Sequence, residues 1–264
     1  ESRGLGDVYK RQLITFSPSS QVKPMVTFGE SLTQCRSVST AAKALEDQGY
    51  RVVAGLNGDF FNTNNGLPIG LVITEGELRS SDGGYYGIGF RADGSAILGK
   101  PGVKASANLG YAVDDGFGNS TELVRPVAAV NKARTNSGLF LYTYDFNAKH
   151  TTGTTEPGIN VVCTVEQGKL AIGSTVTLRV NRVEETTVTD LEPDQIVLSA
   201  NLQADSYYTT ALQNIPQGSE LALTVSANVR LPYGRVGGPE RARLLDETRR
   251  ALAAVIFVAD NANA

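Results

Sequence analysis

Several residue types that mark common classes of protein are scarce or missing in this sequence. The 264 residues include no tryptophan, one histidine and two cysteines, and the formal net charge is −3. Without a basic excess, there is no electrostatic basis for binding nucleic acid or an anionic membrane surface. No apolar run approaches the roughly 20 residues that a transmembrane helix needs, so no membrane span is predicted.

The same scarcity argues against two classes of active site. His150 is the single candidate base for a Ser-His-Asp hydrolase, it lies in a polar stretch typical of a loop, and no Gly-x-Ser-x-Gly segment accompanies it. No glycine-rich phosphate loop follows a predicted strand, so nucleotide binding has no support. Cys35 and Cys163 lack metal-ligand spacing and are predicted to be unpaired or buried thiols, although a disulfide stays open for a secreted protein.

The sequence does have many glycines, with Thr, Val and Asn, a composition that favours short strands joined by turns. Two hairpins are predicted to turn at residues 75–76 and 92–94. Further strands are predicted over residues 127–131, 139–144, 159–166, 175–183, 195–199 and 221–226. One early helix among many short antiparallel or mixed strands indicates an α+β or mainly β domain, and the class predicted here is α+β.

The early helix and the strand after it lead into a polar loop. Residues 39–48 form the predicted helix, with Ser39 or Thr40 as its N-terminal cap and Gly49 just past its end. Residues 51–56 are a short apolar run, which predicts a buried strand. A strand that ends in polar residues is a common way to build a functional site.

Both ends of the sequence are unusual. Residues 1–12 resemble a non-native leader and are set aside from the fold. After Asn228 the sequence becomes rich in arginine, and residues 239–258 have apolar residues at helical spacing. Two interpretations of residues 229–264 stay open: a genuine amphipathic helix, or the product of a change of reading frame near Asn228.

The densest group of polar residues follows the predicted strand over residues 51–56. It consists of Asn57, Asp59, Asn62, Asn64 and Asn65, with Gly58, Phe60 and Phe61 between them. Carboxylates and amides bind sugar hydroxyls, and glycine lets the backbone approach a ligand. A plain turn uses the same residue types, and calcium would use the same oxygen ligands. The spacing does not match an EF-hand loop, so no metal ligand is assigned, while a divalent cation such as calcium stays open.

The segment Val52-Val53-Ala54-Gly55-Leu56-Asn57-Gly58-Asp59-Phe60-Phe61-Asn62 resembles the signature of the phosphodiester glycosidase family. This is the domain of N-acetylglucosamine-1-phosphodiester α-N-acetylglucosaminidase and its bacterial relatives. Later segments resemble the family in the same order. They are residues 66–73 and 76–78, 88–90 with 93–94, 130–134 followed by 141–143, 196–200, and 215–218. The ordered set is more specific than any one of its pieces.

The resemblance implies an extracellular or cell-surface bacterial hydrolase that cleaves a sugar-1-phosphodiester of the N-acetylglucosamine-1-phosphate type, or a related cell-wall glycoside. A departing phosphodiester is a weak base, so the enzyme mainly stabilises an oxocarbenium-like centre, and Asp59 is the candidate catalytic residue. Arg134 suits a phosphate because its planar fork binds two oxygens. The residues expected to contact the carbohydrate or sugar-phosphate substrate are Asn57, Gly58, Phe60, Phe61, Asn62, Asn131 and Arg134. No cofactor is implied.

The sequence departs from the family pattern after Asn228. An Arg-Thr strand and a late Asn-Leu-Asp-Gly-Gly-Gly-Ser motif, which helps to form the family's active site, are both missing. Residues 13–228 are therefore interpreted as a partial phosphodiester glycosidase domain that is expected to be inactive in this form. The alternative is a non-catalytic surface module that binds wall polysaccharide through the same Asn and Asp residues. A true N-terminus with a signal peptide is expected to lie outside this sequence, and the oligomeric state stays open.

Overall fold

The computed structural model describes residues 22–58, 60–81, 83–90, 96–114, 116–228 and 255–259. The first six strands are β1 (Val22–Val26), β2 (Arg51–Leu56), β3 (Val72–Thr74), β4 (Glu77–Ser80), β5 (Gly87–Phe90) and β6 (Ala96–Gly99). The next four are β7 (Val103–Asp114), β8 (Ser120–Val130), β9 (Leu139–Thr143) and β10 (Gly158–Gln167). The last four are β11 (Thr175–Thr186), β12 (Gln195–Asn201), β13 (Glu220–Ala227) and β14 (Val255–Ala259). The α-helices are α1 (Val38–Glu46) and α2 (Ser206–Gln213), and Tyr144–Phe146 form a 3-10 turn.

Seven strands close into a barrel in the order β10-β11-β13-β7-β8-β9-β12, with β12 paired back to β10. All of these pairs are antiparallel except β8 and β9, which run parallel. The prediction of an α+β fold is wrong, because the described residues are mainly β and the two helices are short. Closure depends on pairing between distant segments, which local sequence patterns do not reveal.

The barrel interior is the main hydrophobic core, and strand alternation explains it. Along β10, Ile159, Val161 and Cys163 point into the barrel, whereas Asn160 and Val162 point outward. Leu139 and Leu141 of β9 join the inner set and are fully buried. Burying a side chain of this size stabilises the fold by roughly 1.5–3 kcal/mol.

The early helix is confirmed, but its predicted cap is wrong. Helix α1 begins at Val38, and the Ser37 side chain accepts from the Thr40 amide at 3.1 Å, so Ser37 is the cap. Strand β2 is confirmed at the predicted residues, yet it is only partly buried and not a core strand. It pairs with β14 in a small sheet of order β1-β14-β2, packed by α1, and this sheet has little apolar cover.

The hairpin of β3 and β4 is confirmed, and β5 pairs with β6 across the second predicted turn, which lies outside the described residues. The predicted strands at residues 139–144, 159–166, 175–183, 195–199 and 221–226 are also present. The helix predicted over residues 239–258 is wrong at its end, where β14 is a strand, and residues 239–254 lie outside the described ranges. Within those ranges, no helix combines the length and apolar character needed to cross a membrane.

Candidate functional site

The connection between β8 and β9 brings the first functional side chains onto the outer wall of the barrel. Because the two strands are parallel, residues 131–138 must run back along the barrel. Asn131 starts this reversal with a φ of 51°, a left-handed conformation that asparagine tolerates. Its buried amide donates to the Arg79 carbonyl and the Thr143 hydroxyl, both at 2.8 Å, and accepts from the Thr143 amide at 2.9 Å.

Arg134 lies in this connection and is fixed against the outer wall. Its guanidinium donates to the Ser199 hydroxyl at 2.8 Å and to the Glu156 carbonyl. Gly158 makes room for it, because a Cβ at that position would overlap the guanidinium and lie 2.5 Å from the Ala200 carbonyl oxygen. The side chain therefore occupies one defined position and is not a freely moving surface arginine.

A buried chain of hydrogen bonds supports the arginine from behind. The Ser199 hydroxyl donates to the Asn160 amide oxygen at 2.5 Å, and the Asn160 nitrogen donates to the Thr186 carbonyl at 3.1 Å. Ser199 and Asn160 are both fully buried on the outward face of β12 and β10. Buried polar groups with all their partners in place make a site rigid.

The guanidinium opens on a cleft of about 520 Å³ on this outer wall. The cleft is lined mainly by amide and hydroxyl side chains: Thr33, Asn65, Asn136, Tyr142, Asn147, Thr151, Thr152, Thr154, Thr155 and Asn201. The charged side chains of the lining are Arg134, Lys149 and Glu156. Its lining surface combines polar and apolar atoms, and a cleft of this volume fits a small-molecule ligand.

The loop at residues 147–156 forms one side of the cleft and is tied to the barrel. The Thr189 amide donates to the Thr152 hydroxyl at 3.1 Å, and the Thr154 hydroxyl donates to the Thr187 carbonyl. Asn147 closes the start of the loop by donating to the Thr151 carbonyl at 2.6 Å. These bonds make this wall of the cleft largely preformed.

Arg134 carries a positive charge that interacts with the Glu156 carboxylate without forming a close ion pair. Within the described ranges it has no ion pair within 4.0 Å, and only two of its five N–H groups donate a hydrogen bond. Burial lowers the pKa of Arg134 from its ordinary value, and the nearby Tyr142 and Glu156 oppose this shift. Arginine remains charged in proteins, so the cleft presents a half-buried cation with donors to spare.

Tyr142 lies at the floor of the cleft, on the outward face of β9. It is fully buried, and its ring packs on that of Phe146 with centroids 5.0 Å apart. The hydroxyl has no hydrogen-bond partner among the described residues. Burial raises the pKa of Tyr142, and the positive charge of Arg134 lowers it in part. The Arg134 backbone also lowers this pKa, because it lies near the hydroxyl without meeting the geometric criteria of a hydrogen bond.

Most of the residues that the sequence singled out lie in the loop between β2 and β3, outside the cleft lining. They are Asn57, Gly58, Phe60, Phe61 and Asn62. Phe60 and Phe61 are 55% and 47% exposed. The Asn62 carbonyl accepts from the Asn65 and Gly66 amides at 3.2 and 2.7 Å, which is the geometry of a turn. Asp59, the candidate catalytic residue, lies outside the described residues, so its role stays a prediction.

This loop nevertheless reaches the cleft through its later residues. Asn65 and Leu67 line the cleft beside the β8–β9 connection. Lys132 ties the two segments together by donating to the carbonyls of Pro68, Ile69 and Gly70 at 2.5–3.1 Å. Of the predicted substrate contacts, the structure thus places Arg134 in the cleft. Asn131 lies behind it, with its amide occupied by the fold.

Several residues of the cleft were missed from the sequence. Asn136 and Asn201 are joined side chain to side chain at 3.2 Å, and together with Tyr142 they come from three separate segments. Tyr142 sits in a run that reads as an ordinary strand, and only its outward position beside Arg134 gives it significance. Tyr142 can be identified only when the register of the strands in the barrel is known, and the sequence does not provide that register.

Metal and thiol chemistry have no assembled site in the described part of the chain. It contains no group of three or more His, Cys, Asp or Glu residues that could hold a metal ion. Cys35 is exposed and Cys163 is buried, and both are free thiols, as predicted. His150 lies in a loop, as predicted, with its ring stacked on Tyr144 at 3.6 Å.

No protein-family model matches the chain, and no curated protein matches it in sequence. Two solved structures share its fold. A "hypothetical protein from Synechocystis" is 14% identical with a TM-score of 0.50, and the match covers 90% of this chain and 50% of that one. A "Putative exported protein" from Burkholderia pseudomallei K96243 is 13% identical with a TM-score of 0.55, and the match covers 92% and 59%. The chain therefore spans between half and three-fifths of the length of these proteins, and the likeness concerns the fold alone.

Proposed function

We propose that the cleft around Arg134 binds a sugar-1-phosphodiester, and that the protein is an extracellular glycoside hydrolase acting on this class of substrate or on a related cell-wall glycoside. The observation that carries the proposal is the half-buried Arg134 guanidinium, which lines the cleft and forms no ion pair within 4.0 Å among the described residues. A half-buried guanidinium that forms no close ion pair and has N–H groups left over suits an anionic ligand.

The two parts of the ligand match two parts of the cleft. A phosphodiester oxygen pair matches the planar guanidinium, whose remaining N–H groups can donate in parallel. The sugar hydroxyls both donate and accept, and so do the amides of Asn65, Asn136 and Asn147 along the lining. The volume of about 520 Å³ is within the range of small-molecule sites.

Hydrolysis would break the bond between the anomeric carbon and the phosphate oxygen. Water then supplies the new anomeric hydroxyl, and a phosphate monoester leaves with the bonding electron pair. The leaving group is a weak base and needs little protonation, so the main demand is to stabilise positive charge at the sugar. Asp59 stays the candidate for that task, by resemblance to the phosphodiester glycosidase family.

A second candidate function is a cell-surface module that binds wall polysaccharide without turnover. One observation favours it: within the described lining Glu156 is the single carboxylate, and it is exposed. Glycoside hydrolysis usually employs a pair of carboxyl groups on either side of the scissile bond. Product release by this chain would support the hydrolase. Because the partial domain is expected to be inactive in this form, the module is supported only if a complete homologue also binds without turnover.

The test measures binding and turnover of the same compound by the whole chain. The probe is the methyl phosphodiester of N-acetylglucosamine-1-phosphate, with calorimetry for affinity and release of free N-acetylglucosamine for turnover. The Arg134→Gln variant is expected to bind about a hundredfold more weakly, since a charge-assisted bidentate contact is lost. Arg125→Gln is the matched control, because that arginine packs on Tyr207 outside the cleft lining. Equal affinities of Arg134→Gln and the native protein would refute the assignment of the cleft.

A further inference from the structure

We propose that Ser199 and Asn160 are positioning residues for anion binding by Arg134, because they hold the guanidinium from the barrel side without neutralising its charge. This inference rests on the proposed function and deepens it, since it concerns the same site. Neither side chain lines the cleft, and both are fully buried. They therefore act on a ligand through the arginine and do not touch it themselves.

The register of the barrel brings the supporting side chains into one row. Asn160 and Ser199 are directly opposite each other on β10 and β12. Thr186 of β11 is paired with Gly158, two residues before Asn160 on the same strand. Hydrogen bonds can therefore link three neighbouring strands on the outer face, and the row ends at Arg134 in the β8–β9 connection.

The direction of each hydrogen bond in this row follows from the Thr186 carbonyl, which can only accept. The Asn160 amide nitrogen donates to it at 3.1 Å, so the amide oxygen is left to face Ser199. That oxygen also only accepts, so the Ser199 hydroxyl donates its single proton to it at 2.5 Å. The hydroxyl then has only lone pairs for its other contact, and Arg134 donates to them at 2.8 Å. The row thus presents an acceptor to the guanidinium.

Both described acceptors that hold the guanidinium are neutral. One is the Ser199 hydroxyl and the other is the Glu156 backbone carbonyl, whereas the Glu156 carboxylate acts on the guanidinium without a close ion pair. An aspartate in place of Asn160 would offer Ser199 the same acceptor oxygen, but it would add a buried negative charge two hydrogen bonds from the guanidinium. The amide therefore fixes Arg134 and leaves its positive charge for an anion in the cleft.

The first test measures, by calorimetry, the affinity of the whole chain for the methyl phosphodiester of N-acetylglucosamine-1-phosphate and for N-acetylglucosamine. Ser199→Ala should weaken the diester about tenfold, because the guanidinium loses its anchor. Asn160→Asp should weaken it further, because a charge is added. Both should leave N-acetylglucosamine unchanged. Thr164→Val is the matched control, since Thr164 accepts from the Asn181 amide at 2.9 Å between β10 and β11, outside the cleft lining.

The second test follows the guanidinium by nuclear magnetic resonance and needs no ligand. In protein with isotope-labelled arginine, Arg134→Gln identifies the signals of Arg134. A guanidinium held at both terminal nitrogens rotates slowly, so these nitrogens should give separate signals in the native protein. Ser199→Ala should merge the two signals, and Thr164→Val should leave them separate.

Four outcomes would overturn the inference. If the native protein binds the diester and Ser199→Ala binds it equally well, or keeps the Arg134 signals separate, the positioning role fails while the proposed function stands. If folded Asn160→Asp keeps the native affinity for the diester, neutral anchoring is unimportant. If Ser199→Ala weakens N-acetylglucosamine as much as the diester, the row only maintains the shape of the cleft. If the native protein binds neither probe, the proposed function fails and this inference falls with it.

Discussion

Along strands β9, β10 and β12, alternate residues face the inside and the outside of the barrel, and the two faces differ in chemistry. The inward side chains, such as Leu141, Val161 and Leu198, are fully buried and apolar. The outward ones include Tyr142, Asn160 and Ser199, which are equally buried but polar. The hydrophobic core and the hydrogen-bonded site therefore lie on opposite faces of the same strands.

The difference shows how a stable barrel core allows a well-ordered polar site to form on the outer face. The inner face contributes most of the stability, so the outer face can hold an unpaired tyrosine hydroxyl and an uncompensated guanidinium. If this division holds, changes on the inner face should alter stability alone, and changes on the outer face should alter ligand binding.

The largest effect is expected for the inner-face change Leu198→Ala. It removes a fully buried side chain from the barrel core and should lower the free energy of unfolding by about 3 kcal/mol. Chemical denaturation measures this loss. Affinity of the folded protein for the sugar-1-phosphodiester should stay the same, and a clear loss of affinity would break the division between the two faces.

A smaller effect is expected for Gly158→Ala, which acts on the outer face. The new Cβ would overlap the Arg134 guanidinium and press on the Ala200 carbonyl, with a cost of about 2 kcal/mol in stability. Unlike Leu198→Ala, it should also weaken the diester about tenfold, because the guanidinium is displaced. Gly89→Ala is the control, since nothing lies within 4 Å of its Cβ position. Unchanged affinity in Gly158→Ala would show that the exact position of Arg134 is unimportant.

The smallest effect concerns Cys163, which points into the core. Burial raises the pKa of this thiol from 9.0 to about 12. The folded state therefore keeps the proton while the unfolded state loses it above pH 9, so stability falls as the pH rises towards 12. Between pH 9 and pH 10 the loss from this group should be about 1 kcal/mol.

The measurement compares urea denaturation of the native protein, Cys163→Ala and Cys35→Ala at the two pH values. Cys35→Ala is the matched control, because it removes an exposed thiol that lies outside the barrel core. Cys163→Ala should flatten the pH dependence. A slope that is the same in all three proteins would mean that the buried thiol does not carry the effect.

Local patterns predicted the elements that depend on neighbouring residues. The β3–β4 hairpin follows from Glu75 and Gly76, both with positive φ, and α1 follows from its apolar spacing. The strand predicted over residues 127–131 was too short, because β8 begins at Ser120 in a polar, exposed stretch. The sequence analysis also missed strands β1 and β7, whose apolar alternation is weak. Helix α2 was missed because its apolar residues form a weaker face than those of α1.

The site was harder to predict than the strands because it is assembled from distant segments. Arg134 was predicted as a substrate contact through resemblance; it lines the cleft, and its role stays a prediction. The cluster that begins at Asn57 drew attention by its density and by the same resemblance, and its Asn62 turn uses those residues for local hydrogen bonds. Tyr142 and Asn201 meet Arg134 only because β9, β10 and β12 are neighbours in the barrel.

The position of β13 determines when the barrel can close while the chain is being synthesised or exported. Without β13, the other six strands form an open sheet from β11 through β10, β12, β9 and β8 to β7, and β13 pairs with both of its edges. As the ribosome or an export machine delivers the chain from its N-terminus, those edges stay unpaired until Ala227 has emerged. Such an intermediate can pair its free edges with strands of other chains. Chaperones that bind extended segments should therefore matter most before β13 has been synthesised or exported.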